Sequence, residues 1–337
     1  MIRSILLGAI VIVCIMAGLV GYGVFNFLTV PPERPGHDKS VFIDPGQSFD
    51  SVSTMLVAEG VLRDAQAFEL LAKVTKKGSR IKAGEFVVNT GWTPLRLLDY
   101  LATAKGVRHK LAAPEGLTMR QIAKLTEEAG ICSAEAFLKA ASDPALLKKY
   151  NIPAATAEGF LFPNTYFFTR SRADDGAPVV ETMLREFWKR TDSVWPTAKP
   201  EGHQLLELVT LASIVEKETG SDAERPRVAG VFLNRMAKGM LLQTDPTIIY
   251  GLGERYTGKL TRSNLEDQTN SYNTYVHPGL PPGPICSPGL KSLQAAASPE
   301  LHEYYYFVAN GQGEHTFSRN LDEHINAVNK YRRERKP

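Results

Sequence analysis

The segment His203-Gln-Leu-Leu-Glu-Leu-Val-Thr-Leu-Ala-Ser-Ile-Val-Glu-Lys-Glu-Thr219 decides how the chain is read. Leu205, Leu208, Leu211, Ala212 and Val215 recur every three or four residues, so they share one face of an α-helix. The same phase continues to Glu218. Glu216 lies two residues back, roughly 200° around a helix of 3.6 residues per turn. The two carboxylates therefore face different ways, and Glu218 is the one that follows the apolar stripe. It also sits near the helix C-terminus, where the macrodipole disfavours negative charge. Partial burial and the dipole both raise a carboxyl pKa, and a carboxyl protonated near neutral pH is what a general acid requires. The plain alternative for a Glu at a helix end is a solvated residue.

Downstream, Ser221-x-x-Glu224 has the pattern of a capping box and predicts a second helix with Val228, Val231 and Phe232 on its apolar face and Gly239 as its stop. In that reading Glu224 is a cap. Then come Gln243-Thr-Asp245-Pro-Thr247, Tyr272-Asn273-Thr-Tyr275 and the proline-stiffened Gly279-Leu-Pro-Pro-Gly-Pro-Ile285. Loops this polar and stiff suit a preorganised site better than a core.

Upstream, Ala134 to Tyr150 reads as a helix with a charged face, and Val179 to Arg190 as another, closed by Trp195-Pro196. Gly159 to Phe168, rich in aromatics, reads as a buried strand plus turn or as a wall for stacking sugars. Three further stretches echo one another: Val41-Phe-Ile43 leading to Val52, Leu56 and Val57; Asn89-Thr-Gly91 leading to Leu97, Leu98 and Leu101; Lys110-Leu111 leading to Ile122 and Leu125. Each reads as strand, glycine turn, Ser/Thr cap and amphipathic helix. These units resemble the LysM carbohydrate-binding module, which pairs two strands with two helices; a plain α+β spacer is the other reading.

Ser4 to Pro32 contains no charged residue, and its core, Ile5 to Phe25, is rich in Ile, Leu, Val, Ala and Gly. A membrane-spanning helix needs about 20 apolar residues, and the run is longer than the apolar part of a cleaved signal peptide, with no clear cleavage site after it. Arg3 and the α-amino group place the short end in the cytoplasm. The net charge of +3, from 39 basic and 36 acidic residues, gives no argument for nucleic acid. Three cysteines make no disulfide framework and no C-x-x-C pair. Gly253-Glu-Arg-Tyr-Thr-Gly-Lys259 has P-loop spacing but ends on Leu260 where Ser or Thr should follow. No H-E-x-x-H or G-x-S-x-G motif occurs, and the basic Lys330 to Lys336 run reads as a solvated helix end.

The chain resembles the endolytic murein transglycosylases, the YceG-like family. The resemblance rests on Glu158-Gly-Phe-Leu161-x-Pro163, Ala212 to Thr219, Glu224-Arg225, Val231 to Arg235, Gly239-Met-x-Leu-Gln243-x-Asp-Pro-Thr247, Tyr272 to Tyr275, Gly279 to Ile285, Tyr306-Phe-Val308 and His315-x-Phe317. Asn164 stands where the family usually carries Asp. The resemblance implies a lyase that cuts the bond between N-acetylmuramic acid and N-acetylglucosamine inside nascent strands. The muramic C6 hydroxyl is the nucleophile, so one carboxylate suffices. By motif position Glu218 is the family's catalytic Glu. Gln243, Asp245, Tyr272, Asn273 and Tyr275, with Glu216 and Glu224 beside them, are the candidates for holding substrate. No cofactor and no metal are implied; peptidoglycan strands are the substrate, and peptidoglycan synthases (penicillin-binding proteins) are neighbours in the work.

The expected fold class is α+β: residues 1–3 as a cytoplasmic end, 4–28 as a transmembrane helix, 29–40 as a linker, 41–157 as a LysM-like module with a connecting region, and 158–337 as a mixed α+β catalytic domain in the periplasm. A muramidase with Asp245 as its second carboxylate and a non-catalytic wall-binding scaffold are the rival readings.

Overall fold

A computed structural model describes residues 2–170, 174–195 and 198–334. Its architecture is mixed α+β. Helix α1 (Ile2–Thr29) carries the apolar run. Its stretch Ile10–Thr29 has a mean hydropathy of 2.2 and no buried residue, so it is long and apolar enough to cross a membrane. Residues 2 and 3, expected outside the span, belong to the helix; residue 1, Pro196 and residues 335–337, on which other expectations fell, lie outside the described residues.

The chain divides into two compact units, residues 1–109 with 167–173, and 110–166 with 174–337. In the first, β1 (Asp38–Ile43) is followed by α2 (Phe49–Ala58), α3 (Ala65–Thr75), β2 (Gly84–Asn89) and α4 (Pro94–Thr103). β1 and β2 pair antiparallel with Val41 opposite Phe86. Alternation along the strands sends Val41, Phe86 and Val88 inward, onto Leu56, Phe68 and Leu98, all fully buried. Phe49 stacks on Phe68 at 5.6 Å. Ser48 and Asp64 cap α2 and α3 by accepting backbone N–H bonds.

The second unit holds most of β3 (His109–Ala113) and of β4 (Asn164–Phe168), with α5 (Met119–Glu128), α6 (Ala134–Ala140) and α7 (Pro144–Lys149) between them, and then α8 (Ala177–Thr191), α9 (Gly202–Glu218), α10 (Arg225–Ala237), α11 (Asp245–Leu252), α12 (Arg262–Glu266), α13 (Leu290–Ala297), β5 (Tyr306–Ala309), β6 (His315–Ser318) and α14 (Leu321–Glu334). β3 pairs with β4, and β5 with β6. The three strand–turn–helix echoes form as β1–α2, β2–α4 and β3–α5, the last with a full capping box at Thr118 and Gln121.

Three expectations are corrected. Ala134 to Tyr150 is two helices, because Asp143 accepts the N–H of Ala145 and Pro144 opens a new helix. Ser221 forms no capping box: α10 begins at Arg225 with proline in its first turn, and the Glu224 side chain makes no cap bond. Third, α9 is not apolar on one stripe only. It packs on α10, α11 and α13, and Thr210, Ser213 and Ile214 are buried along with Val209, Ala212 and Val215. Thr210 and Ser213 satisfy their hydroxyls on Leu206 and Thr210 carbonyls within the helix, which lets polar side chains enter the core without an unpaired donor.

Candidate active site

Because α9 is surrounded, both Glu216 and Glu218 are drawn inward, and their partners rather than their depth distinguish them. Glu216 accepts from Arg225 Nη2 (3.3 Å), the Gly289 N–H (3.0 Å) and the Ser292 hydroxyl (2.7 Å). It ties α9 to α10 and α13. Among the described residues Glu218, at the last turn, accepts one hydrogen bond, from the Thr244 hydroxyl. Burial raises the Glu218 pKa and neighbouring Asp245 raises it further, while the Thr244 bond, His315 and Arg235 pull it back; the net direction is up.

Thr244 is held by chain closure. Its N–H donates to Thr274 Oγ1 (3.1 Å), and the Gln243 N–H donates to the Thr274 carbonyl (3.0 Å). Gln243 adopts φ of +49°, a left-handed conformation that a non-glycine residue enters at a cost. The kink sets the start of α11, so that Asp245 stands beside Glu218. The Tyr275 hydroxyl donates to Asp245 Oδ1 at 2.7 Å, and burial together with that carboxylate pushes the Tyr275 pKa well above its usual range.

These groups open on one cleft of about 430 Å³, lined by Glu218, Arg235, Gln243, Asp245, Tyr275 and Tyr306 among others. Arg235 is fixed by donating to the Tyr305 carbonyl (2.6 Å) and the Leu242 carbonyl (2.7 Å), and its guanidinium lies 5.1 Å from the Tyr306 ring centroid. Burial lowers its pKa, but a guanidinium stays charged. The cleft thus sets one half-buried acid against a cation, a second carboxylate and aromatic walls.

Of the sequence candidates, Glu218, Gln243, Asp245 and Tyr275 meet in this cleft. Asn273 is fully buried; its Nδ2 donates to the Asn264, Leu265 and Asp267 carbonyls, and its Oδ1 accepts the Tyr275 N–H. It braces the loop that carries Tyr275. Tyr272 packs on Tyr250 at 4.8 Å, and the Tyr250 hydroxyl donates to buried Glu158. Glu224 accepts the His315 N–H (2.8 Å), pairs with His315 Nδ1 (2.8 Å) and accepts the Thr219 hydroxyl (3.4 Å). Asn164 donates to Glu186 (3.2 Å). Thr244, Arg235, Tyr306 and His324 line the cleft without having been singled out as site residues. Thr244 was within reach of the sequence, between two of the candidates, whereas no spacing ties His324 to them. Among the described residues no group of three or more His, Cys, Asp or Glu could hold a metal ion.

With this geometry in hand, residues 41–330 match the YceG-like family. The chain belongs to that family. It is 30% identical to an endolytic murein transglycosylase of Bacillus subtilis (strain 168), over 94% of this chain and 91% of that one. It is 29% identical to an endolytic murein transglycosylase of Streptococcus pneumoniae serotype 2 (strain D39 / NCTC 7466), over 86% of this chain and 58% of that longer one. A crystal structure of a YceG-like protein from Listeria monocytogenes superposes with a TM-score of 0.56 at 32% identity, covering 86% of this chain and 99% of that one. In this member of the family the cleft at the end of α9 lies wholly within the matched region.

Proposed function

We propose that the chain is a membrane-anchored endolytic lytic transglycosylase, a lyase that cuts the β-1,4 bond from N-acetylmuramic acid to N-acetylglucosamine inside nascent peptidoglycan strands and leaves 1,6-anhydro ends. The observation that carries this reading is a carboxyl at the edge of a cleft lined with aromatic and polar groups, held by the Thr244 hydroxyl, where burial raises its pKa. The names of the relatives supply the substrate class.

In the first half of the reaction the Glu218 carboxylic acid gives its proton to the glycosidic oxygen as the bond to C1 breaks. In the second, the C6 hydroxyl of the same muramic residue closes on C1, and Glu218, now a carboxylate, takes the hydroxyl proton. No water is consumed and Glu218 returns to its starting state. The Thr244 hydroxyl stabilises the carboxylate that exists between the halves, and Asp245 keeps the resting acid protonated. Gln243 and Tyr275 are assigned to the sugars.

The nearest rival is hydrolysis, because Asp245 shares the cleft and glycosidases use a carboxyl pair about 5–10 Å apart. Mass spectrometry of digested glycan decides: 1,6-anhydro ends carry the lyase, reducing ends carry the muramidase. A Glu218→Gln chain that folds and leaves glycan intact separates both from a wall-binding scaffold. The β1–α2–α3–β2 unit, two antiparallel strands with two helices between them, supports the LysM-like wall-binding reading of the first unit. Helix α1 is assigned as a single-pass inner-membrane anchor that leaves the bulk of the chain in the periplasm, where peptidoglycan synthases work.

A further inference from the structure

His324, on α14, lines the same cleft as Glu218, and the mechanism above makes no use of it. Its ring stacks on Tyr306, with centroids 5.2 Å apart and planes inclined by 24°. Its Nδ1 is buried and meets no hydrogen-bond partner among the described residues. Burial, and then the Arg235 cation, lower the His324 pKa, so the ring is neutral near neutral pH. A neutral imidazole carries one N–H and one lone pair. Buried N–H groups without an acceptor are rarer than buried acceptors without a donor, so the lone pair belongs on Nδ1 and the proton on Nε2. Nε2 is not among the buried unpartnered atoms, which leaves it as the ring nitrogen available to a ligand in the cleft that His324 lines.

The cleft therefore offers, near its general acid, a neutral N–H donor backed by an aromatic ring and accompanied by a cation. That pairing suits an uncharged oxygen acceptor. On this polymer such an acceptor is the acetamido carbonyl. A de-N-acetylated sugar presents an ammonium there instead, which sets donor against donor at Nε2. We propose that His324 Nε2–H donates to the acetamido carbonyl of a bound sugar and makes the site selective for N-acetylated over de-N-acetylated glycan. The inference rests on the proposed glycan-cleaving reading.

The test uses the full chain carrying Glu218→Gln, titrated with peptide-free glycan strands that are either fully N-acetylated or chemically de-N-acetylated. The same titration is run on Glu218→Gln with His324→Phe, where the ring that stacks on Tyr306 is kept and the donor is lost. Loss of one neutral hydrogen bond weakens binding of the N-acetylated strands about 2- to 12-fold. Affinity for the de-N-acetylated strands stays the same, so the preference narrows. Unchanged affinities, an equal loss for both glycans, or no binding of either overturns the proposal. His324→Gln, which restores an N–H, recovers part of the preference and carries the test if the Phe chain melts early. Cleavage by the chain with Glu218 intact is followed separately. Absence of any new ends removes the functional reading, whereas cleavage with a preference independent of His324 removes only this inference.

Discussion

Glu216→Ala should unfold the second unit while Glu218→Gln should silence it. The Glu216 carboxylate and the Arg225 guanidinium are 7% and 6% exposed, and Glu216 also accepts the Gly289 N–H and the Ser292 hydroxyl. Removing it leaves the cation with Asp222 as its ion pair and the Ser292 hydroxyl as its other acceptor, and leaves the Gly289 N–H and the Ser292 O–H without the acceptor they share. Breaking a buried pair from one side costs about 3–5 kcal/mol, and at about 2–4 °C per kcal/mol for a unit of this size the melting temperature falls by roughly 6–20 °C. Glu216→Gln keeps an acceptor oxygen and should fall between the alanine and native chains. Glu218→Gln keeps an oxygen for the Thr244 hydroxyl and should shift melting by the few degrees expected of less than about 1 kcal/mol, while glycan cleavage disappears. Thermal unfolding by circular dichroism and release of cleaved glycan are read on the same preparations. A Glu216→Ala chain that melts like the native one yet cleaves nothing would refute the division of labour, since Glu216 would then be doing chemistry.

Two further outcomes follow from the electrostatics. The acid form of Glu218 is lost as pH rises through its raised pKa, so kcat/KM falls along that limb. Thr244→Val removes the bond that favours the ionised form and should move the limb to higher pH, whereas Asp245→Asn removes a like charge and should move it to lower pH; movement in the same direction would contradict the assignment. Glu158 is pushed by burial from 4.5 to about 7. A carboxyl whose folded pKa is raised contributes stability below its unfolded pKa and loses it as pH rises through the folded one. Between 4.5 and about 7 this amounts to about 3 kcal/mol. Urea titrations across that window should show the decline in the native chain and a flatter profile in Glu158→Gln.

Much of this was legible in the sequence because it is encoded locally. Apolar periodicity marked α9 to within a residue of its ends, and the three strand–turn–helix echoes each formed where a Gly turn and a Ser or Thr preceded apolar spacing. The same periodicity separated Glu216 from Glu218 but did not express that Glu216 is enclosed as well, because a stripe records which positions are apolar and not how many neighbours close around the helix. The Ser221 box failed for a related reason. Glu224 has stronger partners in His315, far along the chain, and these outcompete a local cap. Thr244 against Glu218, and Tyr306 and His324 in the cleft, depend on where α11, β5 and α14 come to rest, which no spacing within one segment expresses.

The surroundings of the four inward carboxyls support the proposal that Glu218 is the one that carries the chemistry. Glu158 accepts the Met119 N–H on both oxygens and the Tyr250 hydroxyl. Glu216 accepts three donors including a guanidinium, and Glu224 is gripped twice by His315 and again by Thr219. Around Glu216 and Glu224 the donors make the carboxylate structural, since adding a proton sacrifices bonds that the surroundings cannot remake; Glu158, whose pKa burial pushes to about 7, takes a proton more readily but does not line the cleft. Glu218 has one hydroxyl partner among the described residues and faces a cleft. A hydroxyl can donate to a carboxylate and, by rotating, accept from a carboxylic acid. Both protonation states of Glu218 are therefore satisfied by the same neighbour, and a group that must give up a proton and take one back in each turnover needs that property more than it needs burial.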